Sequence, residues 1–107
     1  MPMDNFFANI ADKLDHEEFT DILKGESLRI ERIVSYGQSS PEQGWYDQEE
    51  HEWVLVLSGF GVIEYYNGDV FTLNAGDHLN IPAHQKHRVK ATSPDEPTVW
   101  LAVFYRS

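Results

Sequence analysis

Two short stretches of the chain hold the residues able to do chemistry. The first is Asp47-Gln48-Glu49-Glu50-His51-Glu52, four acids and a histidine just ahead of the apolar run Trp53-Val54-Leu55-Val56-Leu57. Glu49 and Glu50 read as solvated loop acids. Glu52 differs because it opens a strand. With a side-chain period of two, Glu52, Val54 and Val56 share one face, while His51, Trp53, Leu55 and Leu57 share the other. A carboxylate in line with two valines faces an apolar interior, where it needs a cation, a hydrogen-bond partner or a proton. The pair His51-Glu52 does not belong to a zinc-protease helix, which requires a second histidine where Leu55 stands.

The second stretch is Pro82-Ala83-His84-Gln85-Lys86-His87-Arg88-Val89. Two histidines three apart on extended chain cannot point the same way. His87 shares a face with Val89 and is the inward candidate, whereas His84 sits in the turn after Pro82 and reads as exposed. His16 and His78 have no partners suggested by spacing and read as surface residues.

The elements that must position these side chains are mostly strands. From Leu28 onward, short β-patterned runs alternate with turn signals: Leu28–Val34, Trp53–Leu57, Val62–Tyr66, Val70–Leu73, His78–Pro82, His87–Thr92 and Thr98–Tyr105. Trp53–Leu57 is apolar on both faces, so it is covered on both sides. Asn67-Gly68 predicts a hairpin with a type I′ turn. Seven or so short strands with regular turns predict an all-β sandwich or closed barrel. The first quarter reads differently. Phe6, Phe7, Ile10 and Leu14 recur at helical spacing, and Asp15 with Glu18 resembles a capping box ahead of Phe19, Ile22 and Leu23, with Lys24-Gly25 as a stop. One or two short N-terminal helices are therefore predicted, in a segment 1–26 packed on a barrel of residues 27–107, the whole forming one domain.

Composition narrows the function classes. A chain of 107 residues can build one core but not two domains. Eighteen acids against eight bases give a net charge of −10, which repels phosphate backbones and anionic lipid and argues against nucleic acid or membrane as partners. There is no cysteine, so disulfides, thiolate metal sites and a cysteine nucleophile are excluded, and a reducing cytoplasm is the expected location. The opening Met1-Pro2-Met3-Asp4-Asn5 has neither the basic nor the apolar part of a signal peptide.

At this point the residues resemble the cupin superfamily, whose first motif runs Gly, His-x-His, a Glu three or four residues later and a Gly after six more. Glu52, six residues and Gly59 match its second half, and Leu57-Ser58-Gly59-Phe60-Gly61 has the expected turn. The second motif, Gly-x5-Pro-x-Gly-x2-His-x3-Asn, finds Gly76, Pro82 and His87 at matching spacing, with the Asn67-Gly68 hairpin joining the two motifs. The chain departs from the pattern at the His-x-His positions, which fall on Tyr46 and Gln48, or on Trp45 and Asp47 with the longer spacing. The motif's second Gly is His84 and its Asn is Ala91.

The resemblance implies a small cupin-type β-barrel, a double-stranded β-helix or jelly roll, and a divalent metal such as Fe, Mn, Ni or Zn. Glu52 and His87 carry over as ligands. Gln48 or Asp47 could supply a third, and His51 or His84 a fourth if the backbone departs from ideal alternation. Without a metal, Glu52 and His87 could form a polar pair across the barrel, for general acid–base work or for structure alone. Trp45, Tyr46, Tyr65 and His87 are the expected lining of a small-molecule pocket. Trp53, Leu55, Leu57 and Trp100 are candidates for a homodimer face. Three functions compete: a cupin that binds a small molecule, with or without a divalent metal, in its barrel; a metal-dependent oxygenase or isomerase; and a non-catalytic structural or interaction protein.

Overall fold

Strict alternation of buried and less buried residues through His51–Ser58 and Phe60–Tyr65 marks strands with one face turned to a core. A computed structural model of the protein describes residues 4–11, 15–40 and 44–106. Eight strands run through them: β1 (Glu18–Lys24), β2 (Leu28–Ser35), β3 (His51–Ser58), β4 (Phe60–Tyr65), β5 (Val70–Asn74), β6 (His78–Ile81), β7 (His87–Thr92) and β8 (Thr98–Tyr105). They form a five-stranded antiparallel sheet of order β1-β2-β8-β3-β6 and a three-stranded antiparallel sheet of order β5-β4-β7. Facing each other, the two sheets make a barrel of jelly-roll type. No helix among the described residues is long and apolar enough to cross a membrane.

Register decides what the barrel interior contains. Along one row of the larger sheet Arg29, Phe104, Glu52 and Ile81 stand opposite one another. The next inward row is Glu31, Ala102, Val54 and Leu79, and the one after it is Phe19, Ile33, Trp100 and Val56. From the smaller sheet, Ile63 pairs with Val89 and Tyr65 with His87. Val54, Val56, Ile63, Leu73, Ile81 and Trp100 are buried together as the core. Each such side chain contributes about 1.5–3 kcal/mol by leaving water. At Gly59, φ is 80°, and a Cβ there would lie 2.8 Å from the Thr98 Cα, so only glycine turns β3 into β4 at this point.

The helical reading of the first quarter is corrected. Residues 6–9 form a turn, Asp15 and His16 a bend, and Glu18–Lys24 an edge strand paired with β2. Leu14 lies outside the described residues. The register of β1 shifts between Asp21 and Leu23. This bulge adds a residue, so Phe19, Ile22 and Leu23 recur at three and four rather than two, which imitates a helix. Glu18, read as part of a helix cap, instead pairs with Arg32 at 3.1 Å. Arg32 also donates to the carbonyls of Phe6 (3.1 Å) and Ala8 (2.7 Å), tying the N-terminal segment to the larger sheet.

Two smaller expectations also change. Of Asn67 and Gly68 only Gly68 has positive φ, at 100°. The hairpin therefore closes as a loop in which Gly68 takes the left-handed position, with its N–H on the Tyr65 carbonyl (2.9 Å), rather than as a type I′ turn. Trp53, Leu55 and Leu57 lie half-buried on the outer face of β3 as expected. Trp100, grouped with them, faces inward and is 3% exposed, because the register sets it beside Ile33 and Val56.

Candidate functional site

Between the sheets lies a cavity of about 240 Å³. Its walls are mostly apolar, from Val54, Ile63, Ile81, Val89, Trp100 and Phe104, and Glu17, Arg29, Glu31, Gln48, Glu52 and His87 bring polar groups among them. That combination is typical of a small-molecule site, at a size suited to a metabolite rather than a larger ligand.

Glu52 and His87 meet in this cavity. β3 carries Glu52 inward from the larger sheet and β7 carries His87 inward from the smaller, and the two are 9% and 5% exposed. The His87 Nε2 is 3.3 Å from Glu52 Oε1, and its Nδ1 is 2.8 Å from the Gln85 carbonyl oxygen. A carbonyl can only accept, so Nδ1 carries a proton and Nε2 is the position that exchanges one with the carboxylate. Gln48 Nε2 donates to the same Glu52 oxygen at 3.2 Å. Burial pulls the His87 pKa down. The Glu52 hydrogen bond, the Gln85 carbonyl and the Glu52 charge outweigh it, and the net shift is upward from 6.5.

The loop before β3 is fastened to β7. Tyr46 N–H donates to the His87 carbonyl (2.8 Å), His87 N–H donates back to the Tyr46 carbonyl (3.1 Å), and His84 N–H reaches the Gln48 carbonyl (2.8 Å). These bonds hold Tyr46 and Gln48 over the cavity, with the Tyr46 ring 5.6 Å from that of His87. The other expected residues lie elsewhere. Asp47 points outward to His84 Nδ1 at 3.0 Å, and His84, at φ 65°, sits in left-handed backbone where the resembled motif has glycine. His51 Nδ1 accepts from the Ala83 N–H, and its ring packs on Tyr105. Trp45 stacks over the Arg88 guanidinium at 4.4 Å, away from the cavity lining. Tyr65 is packed into the core against Phe71.

Three charged lining residues had no signal that singled them out. Arg29 and Glu31 on β2 point inward with Ile33, and Glu17 lies just ahead of β1. The alternation Arg29-Ile30-Glu31-Arg32-Ile33-Val34 does not say which face is interior, since each face carries both charge and aliphatic carbon. Arg29 binds Glu31 (3.0 Å) and Glu50 (3.2 Å) and lies 3.7 Å over the Phe104 ring. Burial pushes the Glu31 carboxyl pKa up against the pull of Arg29, and the charges of Asp21 and Glu52 push the same way.

A divalent metal, as the resemblance implies, is fitted poorly by these side chains. Glu52 and His87 are strong donors, but the positions that would bring two imidazoles hold Tyr46 and Gln48, a half-exposed phenol and an amide. Among the described residues no three His, Asp or Glu side chains come close enough together to hold a metal ion. A stable site for such metals draws on three or more donors of the imidazole and carboxylate type. The Glu52–His87 contact also satisfies itself with a proton, which a metal would have to displace.

Comparison with known proteins agrees with this architecture. The cupin domain family matches residues 31–104. A protein from Ralstonia eutropha JMP134, provisionally named a mannose-6-phosphate isomerase, is 42% identical over 100% of both chains, with a TM-score of 0.94. A cupin superfamily protein from Desulfitobacterium hafniense DCB-2 is 18% identical over 92% of this chain and 84% of its own, with a TM-score of 0.76. The DMSP lyase DddQ of Ruegeria pomeroyi DSS-3 is 17% identical over 87% of this chain and 48% of its own, at 0.73. The last two likenesses concern the fold alone. No curated protein is significantly similar to the chain.

Proposed function

The chain belongs to the cupin family, and from that premise we propose that it is a small-molecule-binding barrel in which Glu52 and His87 work as an acid–base pair. The observation that carries this reading is the 3.3 Å approach of His87 Nε2 to Glu52 Oε1 in an apolar cavity, with Nδ1 held by the Gln85 carbonyl. In that arrangement a carboxylate and an imidazolium face one ligand. Glu52 takes a proton from a carbon beside a carbonyl group, and the C–H electron pair moves into the adjoining C–C bond. The carbonyl π electrons move to oxygen, which receives the Nε2 proton of His87. In an α-hydroxy carbonyl ligand, Glu52 then returns its proton to the former carbonyl carbon while the now neutral His87 takes the hydroxyl proton from the carbon that lost its hydrogen, whose C=O forms as the isomerisation completes. Gln48 orients the carboxylate through its amide, and Tyr46 covers the opening.

Two further facts support it. Such a pair works with its members in opposite protonation states, and the upward shift of His87, to which the Glu52 hydrogen bond contributes, favours the protonated imidazole. The Ralstonia relative, 42% identical over 100% of both chains, bears the provisional name of an isomerase.

The test uses a panel of small hydroxy-aldehydes and hydroxy-ketones in deuterated water, read by NMR for deuterium at the carbon beside the carbonyl. Wild-type protein catalyses the exchange, and Glu52→Gln and His87→Gln each lose it by about 100-fold or more. Exchange that survives both substitutions, or no exchange across the panel, would leave the pair a structural one.

A further inference from the structure

We propose that the cavity selects a compact ligand bearing a positive charge and excludes phosphorylated ones, a reading that rests on the proposed function only for the location of the site.

The cavity is lined by the carboxylates of Glu17, Glu31 and Glu52, against the cations Arg29 and His87. Both cations are already engaged. Arg29 gives Nη1 to Glu31 and Nη2 to Glu50, and its flat face covers Phe104. A guanidinium recognises phosphate through a free fork of two parallel N–H groups, and that fork is divided here between two carboxylates. His87 spends one N–H on Gln85 and faces Glu52 with its other nitrogen. A phosphate dianion entering this space would meet three acids and no uncommitted cation among the described lining residues.

A cation meets the opposite situation. Glu17 accepts a hydrogen bond from Ser35 on Oε2, and Glu31 accepts from Arg29 on Oε2. The second oxygen of each carboxylate has no hydrogen bond among the described residues and is available to a donor. Trp100 adds an aromatic surface in the same cavity, of the kind that attracts alkylated ammonium groups; the Phe104 ring already carries the Arg29 guanidinium. Asp21, on the inward row with Glu31, adds further negative potential. The volume of about 240 Å³ corresponds to roughly eight waters at about 30 Å³ each, enough for a small metabolite.

The experiment follows the Trp100 indole N–H resonance, identified by its loss in Trp100→Phe, during titration at low ionic strength with choline, inorganic phosphate and mannose 6-phosphate. Choline should shift it saturably and the two phosphates should not. Glu31→Gln, nearly isosteric, should weaken choline about three- to tenfold and, by freeing Arg29, strengthen mannose 6-phosphate. The proposal falls if mannose 6-phosphate binds the wild type as tightly as choline, if choline leaves Trp100 unmoved, or if Glu31→Gln leaves choline affinity unchanged. His87→Gln separates this proposal from the acid–base reading. It abolishes proton transfer yet removes a competing positive charge, so choline binding should persist or tighten. Choline bound without any isotope exchange in the wild type would retire the acid–base pair and leave the selectivity standing.

Discussion

Gly61 leaves the space that the Trp100 indole fills. A Cβ built at position 61 would overlap the six-membered part of that ring, which the core holds 3% exposed with its N–H directed to the Ser35 hydroxyl at 3.3 Å. The absent side chain on β4 is therefore what allows β8 to set a large aromatic wall beside Glu52 and His87.

Gly61→Ala should force the indole aside and destabilise the fold by about 1–3 kcal/mol through overpacking. Urea unfolding and tryptophan fluorescence measure the loss together with the altered setting of Trp100. A variant as stable as wild type with unchanged emission would mean the ring relocates freely.

His87 predicts a pH dependence with a definite sign. Its folded pKa lies above 6.5, so the native state holds the proton more tightly than the unfolded chain. The stabilisation is fully present below about pH 6.5 and is lost as pH rises through the folded value. In Glu52→Gln the Glu52 hydrogen bond and charge no longer raise it while burial still lowers it, so the pKa should drop. An NMR titration of the His87 ring proton reads both values, and an unchanged pKa in the variant would contradict the pairing.

Completing the resembled motif should create a metal site. Tyr46→His with Gln48→His adds two imidazoles to Glu52 and His87 on a loop already fastened to β7. Nickel or zinc should then raise the melting temperature. Saturation at 100 times Kd would correspond to about 2.7 kcal/mol, and the wild type should respond much less. Equal responses of the two proteins would show that the native donor set suffices.

Arg32→Ala should release the N-terminal segment. The guanidinium joins the Phe6 and Ala8 carbonyls to Glu18 from a nearly buried position. Removing it should cost about 2 kcal/mol and speed amide exchange near Ala8 more than within β3. Uniform exchange rates across the chain would argue that the segment is held by other contacts.

The site's central pair was legible because each residue begins an inward-pointing alternation: Glu52 with Val54 and Val56, His87 with Val89. The barrel was legible from turn spacing, and the two half-motifs fell on β3 and on the stretch from β6 into β7. Trp100 was not, since Thr98–Trp100 is buried on both faces and period two cannot tell them apart. Arg29 and Glu31 were obscured for the opposite reason, as charge on a strand reads as exterior until Glu50 and Phe104, distant in sequence, are seen to compensate Arg29. The edge strand β1 was lost to a single extra residue. In each case the missing information was a partner on another strand.

The paired backbone bonds between Tyr46 and His87 have a kinetic consequence. The cover of the cavity and the residue at its centre face each other across one antiparallel bridge, so the cover cannot lift as a flap without breaking both of its backbone bonds to His87. Rotation of the half-exposed Tyr46 ring, a picosecond-to-nanosecond event, clears the way on that side with the bridge intact. Ligand exchange should then be fast and free of a slow opening step.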